Sequence, residues 1–223
     1  IEAAEQELSQ ASSAPRGRLR VSLPLVSSLV LPVLGEFMAT YPDIELDLDF
    51  SDRLVDVIEE GFDAVVRTGD PSDSRLSARR LGTFELMLVA SPEYLKRCGT
   101  PEVPDDLRQH TCLHYRLPHS GKLETWPLRQ EHPEHAYDIP ISMVCNHVET
   151  RVCFALNHRG ITCLPDFNVG RELGNGSLVS VLDDFMERRG SFYLLWPSGR
   201  QMPPKLRVFI DFMIARVFNR TGS

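Results

Sequence analysis

No window of the 223-residue chain approaches the ~20 consecutive apolar residues that a membrane-spanning helix needs, so no membrane role is expected. The opening Ile1-Glu2-Ala3-Ala4-Glu5 has neither a basic n-region nor an apolar core. It does not read as a signal peptide, and reads instead as a chain cut from something longer. Basic residues are in deficit, 24 Lys and Arg against 31 Asp and Glu, for a formal net charge of −7. Affinity for nucleic acid rests largely on cations that neutralise phosphates, so this chain alone is not expected to hold DNA or RNA. Catalytic signatures are missing as well. There is no G-x-S-x-G elbow, Walker loop, G-x-G-x-x-G or H-E-x-x-H, and neither an enzyme nor a cofactor-binding protein is expected. Cys98, Cys112, Cys145, Cys153 and Cys163 show none of the C-x₂₋₄-C or H-x₃₋₅-H spacings of structural zinc, so no metal site is expected. They read as small core residues, reduced in a cytosolic compartment. A redox pair among Cys145, Cys153 and Cys163 stays open.

What is present is an ordinary globular balance, 42% hydrophobic and 25% charged. The length allows one large domain or two of roughly 100 residues. No internal repeat or low-complexity tract interrupts it. Charge is unevenly spread: Asp43 to Asp73 holds eleven carboxylates against Arg53 and Arg67, while Glu187 to the end carries seven basic residues against two acidic ones. Either these are two solvated faces, or the C-terminal segment folds back beside the early part of the chain.

Hydrophobic patterning orders the elements. Leu19-Arg20-Val21-Ser22-Leu23 alternates at period two, a strand stopped by Pro24. Ser27 and Ser28 cap a helix with Val30, Val33, Leu34, Phe37, Met38 and Tyr41 on one face, Pro32 lying in its opening turn. Ile44-Glu45-Leu46-Asp47-Leu48-Asp49-Phe50 is the cleanest alternation in the chain. A short helix over 54–60, closed by Gly61, and a strand at Ala64–Arg67 complete a β-α-β-α-β series, which implies a parallel sheet. A buried strand at 84–90 follows, then short helical turns at 92–97 and 104–108 and a Pro/His-rich stretch from 117 to 140. Order returns with a strand at 141–145, a helix to about His158 capped by Asn146 with Glu149 in the reciprocal position, and a strand at 161–164. A late strand at 192–196 and a last helix opened by Pro204 return to the first part.

The segments Leu19–Pro24, Leu31-Pro32, Glu36-Phe37, Tyr41-Pro42-Asp43-Ile44 and Val55-Asp56 resemble the effector-binding domain of LysR-type transcriptional regulators. The likeness continues through Glu60–Gly69, Ala78–Gly82, Val89-Ala90-Ser91-Pro92-Glu93-Tyr94-Leu95, Pro104–Leu107 and His110–Leu113. It closes with Gly160–Pro165 and Pro204–Phe212, in family order over about residues 16 to 213. The resemblance implies an α/β, type II periplasmic-binding-protein-like fold: two Rossmann-like lobes joined by two crossover strands, with an effector cleft between them. It implies the end of a linker helix at 1–15, lobe I from 16–90 plus 191–223, lobe II at 91–190, and a winged helix-turn-helix domain outside this chain. The expected function is ligand sensing for a cytoplasmic homodimer or homotetramer that meets DNA only through that other domain. A free-standing solute-binding protein is the alternative.

The physics of such a cleft singles out two helix N-termini, whose unpaired N–H groups and dipole favour anions. One is the turn Leu25, Val26, Ser27, Ser28, and the other is Asn146 with His147. The resemblance adds Arg67, Thr68 and Gly69, the crossover at Ser91, and the turn Leu164-Pro165. A small anionic effector is expected. Ser27 and Ser28 either cap the helix or touch the ligand, and Arg67 either meets ligand or pairs with the acids around it. The family carries an acid where His147 stands and a glycine where His158 stands; if His158 takes φ > 0, the cost is about 1 kcal/mol.

Overall fold

The structure, a computed structural model, describes residues 14–218 except 26, 54, 70, 72, 119, 130–136, 188 and 200, and Ser27 and Ser28 by backbone alone. Most of the expected linker end at 1–15 therefore lies outside the described residues. Packing separates the chain into two units. One holds the residues up to Thr83 and from Ser191 onward, and the other is Phe84–Gly190.

In the first unit, β1 (Gly17–Leu23) buries Leu19, Val21 and Leu23 completely, as its alternation requires. Pro24 has no N–H to continue the ladder. α1 (Ser27–Thr40) follows, with Val30, Val33, Leu34 and Phe37 turned inward. Pro32 is its sixth residue, past the opening turn, so the Ser28 carbonyl loses its usual i+4 donor. β2 (Ile44–Phe50) pairs parallel with β1 along its whole length. The expected helix over 54–60 does not form. Asp56 accepts from the N–H groups of Ile58 and Glu59, and Glu60 takes both ends of the Arg53 guanidinium at 2.5 and 2.9 Å, closing a set of turns that ends at Gly61, φ +70°. β3 (Ala64–Thr68) joins β1 on its other side, also parallel.

The chain then leaves the first unit inside β4 (Leu76–Ala90), a strand longer than its apolar run and so changing unit before the expected boundary at 90. In the second unit come α2 (Pro92–Cys98), a 3₁₀ segment at Pro104–Gln109, β5 (Cys112–Tyr115), β6 (Met143–Cys145), α3 (Val148–Leu156), β7 (Ile161–Pro165), α4 (Gly170–Gly174) and β8 (Val179–Val181). β5 lies parallel to β6 and β7, while β4 runs antiparallel to β7 and β8. Val89, Ala155, Leu164, Val169 and Leu178 make a core here, with Val148, Val152 and Leu156 of α3 packed on it.

The chain returns through β9 (Arg189–Pro197), antiparallel to β3, and ends in α5 (Pro204–Arg216). Phe37 of α1 meets Phe209 and Phe212 of α5 edge to face, with ring centroids 5.2 and 5.4 Å apart. Charge ties α5 to the same part of the chain: Lys205 pairs at 3.0 Å with Asp63, just before β3, and Arg216 at 2.9 Å with Glu36 of α1, so the basic C-terminal segment does fold back on the early part of the chain.

Candidate functional site

In the first unit the carboxyl ends of β1, β2 and β3 lie side by side, the edge at which open parallel sheets receive ligands. Arg67, half-buried near the end of β3, donates to the Ser22 hydroxyl at 2.9 Å and to its neighbour's carbonyl, Val66, at 2.6 Å. Ser22 is fully buried and in turn donates to Asp49 at 3.2 Å. Asp52 accepts from the Leu25 N–H at 3.0 Å, tying the turn before α1 to the end of β2. No carboxylate oxygen of the described residues comes within 4 Å of the Arg67 guanidinium. Burial presses the Arg67 pKa down, partly offset by the fields of Asp52 and Asp49, yet a guanidinium stays charged. Among the described residues, the edge therefore holds a cation fixed by neutral partners and balanced by carboxylates at a distance.

The second unit has a corresponding edge at the ends of β5, β6 and β7. The helix begins one residue later than its capping pattern predicts. His147, not Asn146, is the N-cap of α3, and its side chain gives no capping bond. Its Nδ1 meets Thr150 Oγ1 at 2.9 Å and its Nε2 meets Glu149 at 2.9 Å, so Glu149 answers the imidazole instead of a backbone N–H. Beneath this turn Arg151 is 1% exposed. Its Nη1 donates to the Cys163 carbonyl at 2.5 Å, and its guanidinium lies 4.4 Å above the Tyr115 ring. An open groove of about 310 Å³ lies beside Leu86 and Met87, but Glu85, Asp183 and Glu187 outnumber Arg189 in its walls, a lining that repels an anion.

The family model for the LysR substrate-binding domain matches residues 12–217. The chain belongs to the LysR-type transcriptional regulators. It is 33% identical over 222 residues to the HTH-type transcriptional regulator CrgA of Neisseria meningitidis serogroup C (strain 8013), covering 97% of this chain and 73% of that protein. Among solved structures, the CrgA regulatory domain from Neisseria meningitidis aligns at TM-score 0.80 and 31% identity over 91% of this chain and all of that one. Full-length AphB, the Vibrio cholerae virulence activator, aligns at TM-score 0.81 and 30% identity over 97% of this chain and 74% of that one. The fold is the type II periplasmic-binding-protein-like α/β fold of LysR regulatory domains. The relatives are named as transcriptional regulators rather than enzymes, and a transport protein is not favoured. No helix among the described residues is long and apolar enough to cross a membrane.

Within this LysR-type domain the twelve expected site residues separate. Leu25, Arg67, Thr68 and Gly69 fall together at the edge of the first unit; Val26 and the side chains of Ser27 and Ser28 lie outside the described residues. Asn146, His147 and Pro165 share the edge of the second unit, with Asn146 and His147 exposed. Leu164 and Ser91 stand apart from the others. Leu164 is fully buried in the core around Ala155, so its side chain offers nothing to a ligand. Ser91 sits at the other end of the sheet, because β4 is antiparallel: Leu86 is level with Pro165, while Val89 is level with Thr162. Its hydroxyl is occupied there, accepting from the Tyr94 N–H as the cap of α2 and meeting His158 Nδ1 at 2.8 Å. His158 does take φ +62°, and that contact helps to hold it.

Three residues of this edge chemistry were missed. Ser22 carried a signal, a polar side chain in an otherwise apolar strand end. Arg151 carried a better one, since it interrupts the stripe Val148, Val152, Ala155 and Leu156 at the position three after Val148. Glu124, 3.8 Å from Arg151, comes from the Pro/His-rich stretch and had none. Among the cysteines, Cys112 is buried and its thiol pushed up to about 12, the state of a core residue and not of a nucleophile.

Proposed function

We propose that this LysR-type domain senses a small anionic effector, a carboxylate in the first instance, at the carboxyl edges of its parallel strands, with the inter-lobe placement that the family likeness implies. The observation that carries the reading is Arg67, a half-buried guanidinium held by Ser22 and the Val66 carbonyl with no described carboxylate within 4 Å. A cation kept off its acidic neighbours is prepared for a charge that arrives from outside. Leu25, Thr68, Gly69, Asn146, His147 and Pro165 complete the proposed contacts, together with Val26, Ser27 and Ser28 from the turn before α1.

Binding would act through the packing of protomers, shifting how the DNA-binding parts of the full-length regulator meet their operator in the cytoplasm. Leu31 and Met38, seven residues apart on α1, are 48% and 56% exposed, and Phe154 on α3 is 39% exposed. These apolar faces support α1 of one protomer meeting α3 of another.

The test is a thermal-shift screen with small carboxylates, amino acids and phenolics. A stabilising compound is expected, and Arg67→Met, or Ser27→Ala with Asn146→Ala, is expected to abolish its shift while leaving the unliganded melt in place. A shift unchanged in both variants would remove the assignment.

A further inference from the structure

We propose that Arg151 makes a carboxylate site inside the second unit, where the amino end of α3 and a buried guanidinium together receive one small organic acid group. This deepens the effector reading, on which it rests for the acid's identity as a signal, by naming the residue in this unit that takes the charge.

Two independent features meet at this place. The first is the opening turn of α3. The N–H groups of Val148, Glu149 and Thr150 have no acceptor within the helix, and the His147 side chain supplies none. The second is Arg151, the fourth residue of the helix. A helical side chain leans back toward the amino end, so its guanidinium is carried beneath that same turn. There it lies over Tyr115, the last residue of β5, and donates to the carbonyl of Cys163, the middle residue of β7. Its side chain is 2% exposed, and its Nε–H has no acceptor among the described residues.

A buried cation is normally matched closely, because desolvation of the charge is returned only by short, well-aligned partners. Arg151 is not. Glu124 stands 3.8 Å from Nη1, against about 2.7–2.9 Å for a charge-assisted hydrogen bond. What the site wants is thus an anionic acceptor for a buried N–H beside a helix amino end. A carboxylate has the planar pair of oxygens that matches a guanidinium, and its small head suits a side chain with so little open space around it. Burial lowers the Arg151 pKa and Glu124 opposes that, so the cation persists for a ligand to meet.

The probe is formate, the smallest carboxylate, titrated into the ¹⁵N-labelled chain while the arginine Nε–H resonances are followed, with chloride at equal ionic strength as control. Arg151→Leu assigns the signal. The expected result is a saturable shift of the Arg151 resonance with formate and none with chloride. Arg151→Lys, which keeps the charge and loses the fork, should bind about tenfold more weakly. A double variant, Arg151→Leu with Glu124→Leu, should fold normally and show no saturable formate response in the α3 amides, since apolar replacement of a buried pair is often neutral. The inference is overturned if the Arg151 signal ignores formate, follows chloride equally, or shows a fixed water cross-peak that formate does not displace. If formate moves Arg67 and the α1 amides but not Arg151, the effector reading stands and this inference falls. If Arg151 alone responds, this inference stands without it.

Discussion

The two units place an arginine at the same kind of edge and treat it in opposite ways. In the first, Arg67 is half-buried and held by a hydroxyl and a carbonyl, while several other arginines of the unit pair at its surface: Arg18 with Asp47, Arg53 with Glu60, Arg75 with Asp56 and Asp73. In the second, Arg151 is taken almost wholly out of water, and the nearest carboxylate of the described residues stands 3.8 Å away. Surface pairs cost little to make and contribute little, whereas a buried charge is expensive and persists only for a reason. The second unit is therefore the more finely balanced, and it should be the more easily broken. Trp126 lies in the second unit and Trp196 in the first, so single-tryptophan variants let urea unfolding report on each separately.

The largest difference is expected at glycine. A Cβ on Gly160 would stand 2.3 Å from the Thr111 carbonyl oxygen, the acceptor that aligns β7 with β5 through the Ile161 N–H at 2.9 Å. Gly160→Ala should cost about 3 kcal/mol or more, read by Trp126. At Gly61, φ +70°, the nearest atom is Arg20 Nη1 at 3.8 Å, so Gly61→Ala meets only backbone strain of about 1 kcal/mol, read by Trp196. Equal losses would break the contrast. Next comes charge. Arg151→Met removes the buried Cys163 and Tyr115 contacts of the guanidinium along with its loose pairing to Glu124 and should cost about 2 kcal/mol, below the 3–5 typical of a close buried pair. Arg67→Met should cost under about 1 kcal/mol while removing ligand-induced stabilisation.

Acid should separate the units further. All seven histidines fall between His110 and His158, inside the second unit. Burial lowers the pKa of both His110 and His114. The Thr111 N–H donates to Tyr94 Oη, leaving that hydroxyl to donate to His110 Nδ1, while His114 donates from Nε2 to the Pro140 carbonyl and stacks on Trp126. Folded, these imidazoles resist a proton that the unfolded chain accepts near pH 6.5, so stability present above that pH falls as the pH drops through it. In the first unit the Glu60 carboxyl is held low by Arg53, Asp73 by Arg75, and Asp56 by the Glu59 N–H and Arg75. Their contribution is lost only lower, as the pH falls below the ordinary carboxylate range near 4. The Trp126 midpoint should decline between pH 7 and 5 while the Trp196 midpoint holds. His110→Gln with His114→Gln should flatten the Trp126 curve.

How legible each unit was in the sequence follows the same division. β1 and β2 announce themselves because one face is apolar and the other polar, β3 by its β-branched pair Val65-Val66 set between Gly61 and Gly69, and α1 because its inward face keeps a helical period. β5 does not. Cys112, Leu113 and His114 are all buried, and a strand covered on both faces has no alternation to show. The turns at 56–61 carry helix-forming residues, but Asp56 prefers to accept from nearby N–H groups, a local competition that periodicity does not register. Ser91, which the family resemblance supplied, lies at the opposite edge from Pro165, because strand direction is a tertiary fact that β4 does not display in its sequence. Arg151 was visible as an arginine on an apolar stripe, but what it faces comes from β5, β7 and a loop far away in the chain.

The smallest expected effect tests whether burial, and not charge itself, makes the difference. Arg79 and Asp211 pair at 3.4 Å in the first unit with both side chains about 60% exposed, and Arg189 and Glu85 pair at 3.0 Å in the second with 77% and 55%. Each interaction is made in high dielectric and screened by salt, so Arg79→Gln and Arg189→Gln should each cost about 0.5 kcal/mol or less and converge toward zero in molar salt. If Arg189→Gln proves several-fold costlier and resists salt, the second unit is sensitive to charge everywhere. Arg151 would then be one instance of a general fragility. If the two losses match, the sensitivity resides in the buried guanidinium of Arg151 and not in charge as such.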